Sequence, residues 1–346
     1  MSLAEDIKAK ALEFGFDLAG ITNAGPIDRE QFIFFTDWLA FGYAGRMDYM
    51  HRNLNKRTNP ARLLEDAQSV ICVGLNYTPP TARGMRGEGR GKREERRGRR
   101  DDGRDTRDKG GGTNTEGRRL MGKVANYARY EDYHVFVKKR LDKLVDFISS
   151  ATEGEHKFKI CVDSVPLAER AFAARAGLGF IGKNHMLINP TLGPQIFLGE
   201  IITSLELQTD EPISDSCRGC NKCIEACPTG ALRADGQFDA NKCISYLTIE
   251  HKGQMSAGVA GKTGVWLFGC DECVLACPYQ ENAPVCKNKE FKYYNDRARL
   301  DLGRILNMTE ADFEAEFADS PIKRPGLERL KRNAQICFVN VTGRDV

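Results

Sequence analysis

Residues 217–228 read CRGCNKCIEACP, and residues 270–278 read CDECVLACP. Together with Cys243, these two runs contain eight of the twelve cysteines in a chain of 346 residues. The spacing C-x2-C-x2-C-x3-C-P is typical of bacterial ferredoxins, in which three thiolates bind one cluster and the fourth crosses to the other. The runs therefore predict two [4Fe-4S] clusters and an electron-transfer protein.

The crossover determines which thiolates we expect to share a cluster. The first set is Cys217, Cys220, Cys223 and Cys277. The second set is Cys227, Cys243, Cys270 and Cys273. Two all-cysteine zinc sites are the alternative, but they would not require a three-residue gap and a proline in both runs. A disulfide framework is disfavoured because the charged, amphipathic N terminus does not resemble a secretion signal.

The composition is that of a globular protein, with 41% hydrophobic and 29% charged residues. This length can form one large domain and one small one. The formal net charge of +3 implies no whole-protein field for nucleic acid, so any basic surface must be local. No apolar run approaches the length of a membrane span. We expect a cytoplasmic monomer that contacts no membrane.

Changes in composition divide the chain into three predicted parts. Residues 1–210 mix helical and strand-like periods and form the larger domain, residues 211–287 hold the clusters, and residues 288–346 predict a short helical segment. Within the first part, residues 79–119 consist mainly of Gly, Arg, Asp and Glu and predict a disordered insertion. An RNA-binding arginine tract is the alternative for this insertion. It is disfavoured because acidic residues are interspersed and aromatic residues are missing.

The region between residues 163 and 277 carries further motifs. They are Asp163-Ser164-x-Pro166-x-x-Glu169-Arg170, RAGLGFIGKN at 175–184, Leu198-Gly199-Glu200, CISYLT at 243–248 and FGCD at 268–271. With the cysteine runs, these motifs resemble the epoxyqueuosine reductase family. The resemblance implies an enzyme that uses iron–sulfur clusters and cobalamin to reduce epoxyqueuosine in tRNA to queuosine. It also implies an α+β fold, in which a nitroreductase-like, cobalamin-binding α/β domain precedes a dicluster ferredoxin-like domain.

The resemblance also implies roles for individual residues. It places the proton donor at Asp163. It places corrinoid contacts at Arg57, Leu187, Leu198, Tyr246, Asp271 and Glu272. Its implied partners are a tRNA anticodon stem-loop that carries epoxyqueuosine and a low-potential electron donor.

Histidines are scarce, and none lies in the Asp-x-His-x-x-Gly pattern that supplies a lower cobalt ligand in many corrinoid proteins. We therefore expect a corrinoid with no protein histidine below the cobalt. All five histidines are interpreted as surface or packing residues: His51, His134, His156, His185 and His251.

Asp163 can also be argued from physical chemistry. The segment 158–162 predicts a buried strand that ends at this carboxyl group. Loss of solvation against an apolar cofactor would raise the pKa of Asp163 and leave it protonated, which suits a proton donor. The alternative is that Asp163 only caps a helix that begins near Pro166.

Two neighbouring motifs have plain structural interpretations. For Glu169 and Arg170 we expect a helix surface or an internal ion pair. Gly177-x-Gly179-x-x-Gly182 fits a dinucleotide fingerprint formally, but it follows a helix rather than a strand and no helical pattern opens within it, so we reject a Rossmann site.

Two other functions compete with the epoxyqueuosine reductase hypothesis. A corrinoid reductive dehalogenase would share the cofactor pair, and a dicluster ferredoxin module would be no enzyme. Many members of the resembled family continue into HEAT-like repeats that grip tRNA, and we expect these repeats to be absent here. Five basic residues near the C terminus could bind phosphate or form an exposed helix face: Lys323, Arg324, Arg329, Lys331 and Arg332.

Overall fold

The computed structural model describes residues 2–80 and 119–343. The predicted insertion at 79–119 therefore lies almost wholly outside the described residues. In the described residues no helix is both long enough and apolar enough to cross a bilayer.

The strands are short and come from all parts of the chain. They are β1 (Leu18–Asn23), β2 (Ser69–Asn76), β3 (Met121–Val124), β4 (Phe158–Cys161), β5 (Phe180–Ile181), β6 (Leu187–Ile188), β7 (Ile196–Thr203), β8 (Trp266–Phe268) and β9 (Arg299–Asp301).

The helices are more numerous than the strands, and most are only one or two turns long. They are α1 (Leu3–Glu13), α2 (Arg29–Ala40), α3 (Asp48–Arg52), α4 (Leu54–Thr58), α5 (Tyr133–Ala151), α6 (Glu169–Arg175), α7 (Lys222–Glu225), α8 (Ile244–Ile249), α9 (Ala257–Ala260), α10 (Glu272–Leu275), α11 (Pro278–Glu281), α12 (Leu302–Asn307), α13 (Glu310–Phe317) and α14 (Leu327–Thr342).

The larger part of the chain is built on a four-stranded antiparallel sheet with strand order β1-β2-β7-β4. Both central strands are buried along nearly their whole length, because helices cover both faces of the sheet. On one face α1 and α5 pack against residues such as Ile71, Val73 and Ile201. On the other face α6 packs with Phe172 against Cys72 and Ile202. The sheet is therefore the central layer of three.

A second sheet joins the three predicted parts of the chain. It has the order β8-β3-β9, with β3 parallel to β8 and antiparallel to β9. Helices α12, α13 and α14 bury their apolar side chains against it, including Leu302, Phe313, Phe317 and Leu330. The C-terminal segment is thus packed into the protein and reaches back toward the larger sheet.

The glycine motif at 177–182 forms a β-hairpin rather than a nucleotide-binding turn. Strand β5 lies within the motif and pairs with β6, which places Phe180 opposite Ile188. A Cβ atom on Gly179 would lie 2.4 Å from the carbonyl oxygen of Ile188, so the close approach of the two strands requires glycine there. The rejection of a Rossmann site is supported by this geometry.

Two local expectations were wrong. The sequence between Gly42 and Pro60 predicts a turn-rich stretch, yet this stretch contains α3 and α4. The helix expected to begin near Pro166 begins instead at Glu169, with Ala168 as its N-cap and no side-chain capping bond. Asp163 therefore does not cap this helix.

Candidate active site and cluster domain

The seven cysteines of the two runs and Cys243 interact electrostatically within the two predicted sets. Burial and the charges of Cys217 and Cys277 raise the pKa of Cys223, and Cys217 and Cys220 act in the same way on Cys277. In the second set, burial and the charges of Cys243, Cys270 and Cys227 raise the pKa of Cys273. Cys277 thus lies with the first run and Cys227 with the second, as a crossover requires.

Short helices and backbone amides prepare both sets for bound thiolates. Cys277 is the N-cap of α11, with Pro278 in its first turn. The amide of Lys183 donates to Sγ of Cys217 at 3.4 Å. Burial opposes ionisation of Cys227, but hydrogen bonds from backbone amides and from Thr229 outweigh it and lower its pKa. Such amide donors stabilise negatively charged sulfur.

Zinc sites and cubane clusters differ in how closely their ligands approach one another. Among residues 2–80 and 119–343, no three His, Cys, Asp or Glu side chains converge closely enough to bind one metal ion. A structural zinc site holds four ligands within about 2.3 Å of a single ion. A cubane cluster binds one thiolate at each of four iron corners, so its ligands stand farther apart.

Three cysteines outside the two sets lie in apolar segments of the sequence, which predicts that they are buried. Cys72, Cys161 and Cys337 have no exposed surface. They act as small hydrophobic residues in the core.

Asp163 follows β4 directly and has an unusual backbone. Its φ is 46°, in the left-handed region that non-glycine residues rarely adopt. The amide of Ser164 donates to the carbonyl of Val162, which closes a tight turn around Asp163. A strained backbone of this kind persists only where surrounding contacts fix it, and it is common at functional sites.

The carboxyl group of Asp163 is held by two cations. His134 Nε2 lies 3.0 Å from Asp163 Oδ2, and Arg324 Nη1 lies 3.2 Å from the same oxygen. Burial alone would raise the pKa of Asp163, but the hydrogen bond and charge of His134 and the charge of Arg324 outweigh burial and lower it. The expectation of a raised pKa was therefore wrong. In this geometry Asp163 is a carboxylate.

The proton lies instead on His134, which the sequence did not identify as a site residue. Its Nδ1 lies 2.7 Å from Asp132 Oδ1, and its ring stacks on Tyr133 at 4.1 Å. Burial alone would lower the pKa of His134, but hydrogen bonds to Asp132 and Asp163 and the charges of both carboxylates raise it to about 9. At neutral pH the ring is therefore a cation that donates from both nitrogens.

Arg324 was also misinterpreted, as a possible phosphate contact. Besides Asp163, it binds Glu250, whose Oε1 lies 2.8 Å from Nη2. It thereby joins the C-terminal segment to the segment after β4. Its position in the motif Ser320-Pro321-x-Lys323-Arg324 was the one signal in the sequence that could have drawn attention to it.

Two other members of that basic cluster are structural. Arg332 donates to the carbonyl oxygens of Leu247, His251 and Gly253, and Arg329 donates to that of Ile249. These bonds satisfy carbonyl groups at the C-terminal end of α8. The phosphate-contact interpretation is not supported for either residue.

Three of the six predicted corrinoid contacts lie close to the segment after Asp163 or on the face of the larger sheet that α6 covers. Arg57 borders the segment after Asp163, since its carbonyl accepts the amide of Ala168 at 2.9 Å. Its Nε is buried and has no hydrogen-bond partner among the described residues. Leu187 and Leu198 share one hydrophobic cluster on the α6 face of the sheet.

The other three lie in the cluster domain. Burial and the charges of Asp163 and Asp271 raise the pKa of Tyr127, so this phenol lies near both carboxylates. Asp271 accepts the amide of Asn126 at 2.6 Å. Glu272 accepts a hydrogen bond from the indole of Trp266 at 3.0 Å. Tyr246 lies in a separate cluster with Trp38 and Leu39.

Comparisons with known proteins agree with this architecture. Residues 57–164 match the family model described as "Epoxyqueuosine reductase QueG, DUF1730", and residues 216–280 match a 4Fe-4S double cluster binding domain. The epoxyqueuosine reductase of Vibrio cholerae is 32% identical over 98% of this chain and 83% of its own.

Solved structures give the same result. An epoxyqueuosine reductase bound to an epoxyqueuosine-modified tRNA-Tyr stem loop superposes with a TM-score of 0.80 at 29% identity, over 98% of this chain and 81% of that one. The Bacillus subtilis epoxyqueuosine reductase, solved with its catalytic aspartate loop swung out of the active site, gives 0.81 at 29% identity, over 98% of this chain and 81% of that one.

The fold and the two sets of thiolates define an iron–sulfur oxidoreductase. Within that class the chain belongs to the epoxyqueuosine reductase family. This assignment favours the reductase hypothesis over a dehalogenase or an isolated ferredoxin module.

Proposed function

We propose that this chain reduces epoxyqueuosine in tRNA to queuosine, with Asp163 as the proton donor. Removal of the epoxide oxygen consumes two electrons and two protons, breaks two C–O bonds, forms a C=C bond and releases water. The two sets of thiolates would hold [4Fe-4S] clusters, which would supply the electrons. The observation that carries the proposal is the pairing of Asp163 with protonated His134 in a protein that also holds two sets of cluster thiolates.

The pairing separates proton storage from proton delivery. His134 stores the proton, since its pKa is about 9. Asp163 is 41% exposed and accepts through Oδ2, so it can take that proton and pass it to the oxygen that leaves the substrate. Asp132 binds the opposite ring nitrogen and fixes the orientation of the imidazole. In the Bacillus subtilis epoxyqueuosine reductase structure, the catalytic aspartate loop is swung out of the active site.

The residues around Asp163 fit a corrinoid. A corrin presents an apolar ring with amide groups at its rim. Leu187 and Leu198 offer apolar surface, and the buried Nε of Arg57 is an unused donor for an amide oxygen. On the cluster side, Tyr246, Asp271 and Glu272 would supply the remaining contacts. When bound, cobalamin would supply the low-potential nucleophile that opens the epoxide.

A basic surface next to the site fits the RNA part of the substrate. A cavity of 570 Å³ is lined by His51, Arg52, Leu54, Asn55, Lys56 and Arg62. A neighbouring cavity of 370 Å³ adds Arg29 and the half-exposed ring of Phe32. Among the described residues none of Arg29, Arg52, Lys56 and Arg62 forms an ion pair, so their charges are available to phosphate groups. Cations interleaved with an exposed aromatic ring suit single-stranded RNA.

The basic surface is continuous with the site because α4 borders both. Within α4, Arg57 contacts the segment after Asp163, whereas Lys56 lines the cavity together with Arg52 at the end of α3. A nucleotide held at Asp163 would place its neighbours in the loop near these cations. We also propose a cytoplasmic location, where tRNA and low-potential electron donors are available.

The test is anaerobic reconstitution with iron, sulfide and cobalamin, followed by a low-potential reductant and an epoxyqueuosine-containing anticodon stem-loop. Mass spectrometry should show the loss of one oxygen atom from the modified nucleoside. A matched reaction without cobalamin should leave the nucleoside unchanged. Full loading with clusters and corrinoid but no conversion would overturn the proposal.

A further inference from the structure

Glu200 is a fully buried acid at the centre of the larger sheet. It lies in β7, on the face covered by α6, and has no exposed surface. Neither carboxyl oxygen makes a hydrogen bond of normal geometry within the described residues. An isolated carboxylate in such a place would lose several kcal/mol of solvation, so the group takes a proton instead.

The groups packed around Glu200 strengthen this conclusion. Cys72 of β2 and Cys161 of β4 are its direct neighbours across the sheet. Helix α6 packs against β7, and the carboxyl group of Glu169 on this helix interacts electrostatically with that of Glu200. Burial, and after it the charge and hydrogen bonding of Glu169, raise the pKa of Glu200 well above its usual value. No cation pairs with Glu200 among residues 2–80 and 119–343.

Glu169 connects this buried acid to the catalytic segment. Its Oε1 accepts the backbone amide of Asp163 at 2.6 Å. Burial and the charge of Asp163 raise the pKa of Glu169 to about 7. Two facing carboxyl groups in one low-dielectric pocket cannot both be ionised, so they titrate as a unit that retains one proton.

The bond from Glu169 meets Asp163 where its backbone needs support. At a φ of 46°, Asp163 would relax to an ordinary conformation if nothing held it. Its side chain is held by His134 and Arg324, while its amide is held by Glu169 alone in the described structure. The conformation of the segment thus depends on the carboxyl pair behind it.

We propose that Glu169 and Glu200 are positioning residues, a proton-sharing carboxyl pair that fixes the backbone of Asp163 in the geometry needed to serve the substrate. This inference rests on the proposed role of Asp163. Glu200 keeps the shared proton and stays neutral beside Glu169. Glu169 can then direct its negative charge to the amide of Asp163. Loss of the shared proton would leave two facing carboxylates and release the segment.

The first test detects the shared proton by infrared spectroscopy. Infrared difference spectra between the wild type and Glu200→Gln at about pH 8, well above the ordinary pKa of a carboxyl group, should reveal the C=O stretch of a protonated carboxylic acid. The matched control Glu206→Gln replaces an exposed acid close to the same strand and should retain that band. Absence of the band in the wild type, or its persistence in Glu200→Gln, would overturn the proposal.

The second test reads the position of Asp163. Glu169→Ala should accelerate hydrogen–deuterium exchange in the peptide spanning 158–168 and lower kcat about 10- to 100-fold, with KM for the stem-loop unchanged. Glu169→Gln keeps a carbonyl acceptor and should restore much of the slow exchange and much of the kcat. Exchange in Glu169→Ala as slow as in the wild type would contradict the inference. Because exchange and infrared spectra need no turnover, they still decide the matter if the proposed reaction fails.

Discussion

At Asp163, contacts with neighbouring side chains outweigh burial in setting the protonation state of the carboxyl group. A carboxyl group at the end of a buried strand should have a raised pKa, but His134 and Arg324 lower it. The site therefore stores its proton on an imidazole and uses the carboxylate as the delivering group. Both the strained backbone and the two cations fix where that carboxylate lies.

The first prediction concerns pH. Because His134 is protonated below a pKa of about 9, kcat should be constant near neutrality and fall as the pH rises through about 9. In the unfolded chain, the pKa of a histidine is about 6.5. The ion pairs of His134 therefore stabilise the fold fully below about pH 6.5, and this stabilisation is lost as the pH rises through about 9.

The pH dependence can be assigned with two variants. His134→Gln should lower kcat about 100-fold, and its residual activity should lack the alkaline decline. His156→Gln, which replaces a histidine whose ring forms a hydrogen bond with the carbonyl of Glu153, should keep the wild-type profile. An unchanged alkaline decline in His134→Gln would show that another group titrates.

At the scale of elements, the crossover of Cys227 and Cys277 makes a prediction about iron content. Cys217→Ala combined with Cys277→Ala removes ligands from one set, so about four of eight iron atoms should be lost. Cys273→Ala combined with Cys277→Ala damages both sets, and nearly all iron should be lost. Iron and sulfide analysis after anaerobic reconstitution measures both.

The control for this experiment is Cys286→Ala, which lies outside the two sets and should retain all iron. In a sequential arrangement, Cys277 would share a cluster with Cys243, Cys270 and Cys273. The iron contents expected for the two double variants would then be exchanged. That reversal would contradict the assignment.

The elements themselves could be predicted in part. Apolar runs at 70–75 and 196–207 predict the central strands β2 and β7, a helical apolar period at 133–148 predicts α5, and cysteine spacing predicts the cluster domain. The short helices α3 and α4 were missed because one-turn helices carry no periodic signal. The second sheet was missed because its strands span three or four residues and come from three distant segments.

The candidate site shows the same limit. Asp163, Arg57 and the cysteines stand in local motifs, so the sequence could identify them. His134 and Arg324 belong to the site because they contact Asp163. His134 lies 29 residues away from Asp163 in the sequence, and Arg324 lies 161 residues away. The structural role of Arg332 is equally non-local, since its partners belong to α8 and the loop after it. Contacts of this range depend on the packing of whole segments.

At the scale of the whole molecule, the small net charge of +3 makes the local basic surface beside α4 significant. Arg52→Glu combined with Lys56→Glu should weaken stem-loop binding and lower the slope of log K against log salt by about two units. Fluorescence anisotropy with an unmodified stem-loop across a salt series measures both quantities.

The matched control is Lys139→Glu combined with Lys143→Glu, which makes the same charge change on exposed positions of α5. It should leave the slope close to that of the wild type. Equal slopes in the two double variants would contradict a role of this surface in RNA binding. Loss of corrinoid absorbance in Arg52→Glu/Lys56→Glu would point to a corrinoid contact instead.

The most direct measurement compares the wild type with Asp163→Asn, both loaded with clusters and cobalamin, in a single-turnover reaction on an epoxyqueuosine stem-loop. Loss of the carboxylate that delivers the proton should slow oxygen removal about 100- to 10,000-fold, while corrinoid absorbance and stem-loop affinity stay unchanged. Oxygen removal at the wild-type rate in Asp163→Asn would contradict the account, since the proton would then reach the substrate by another route.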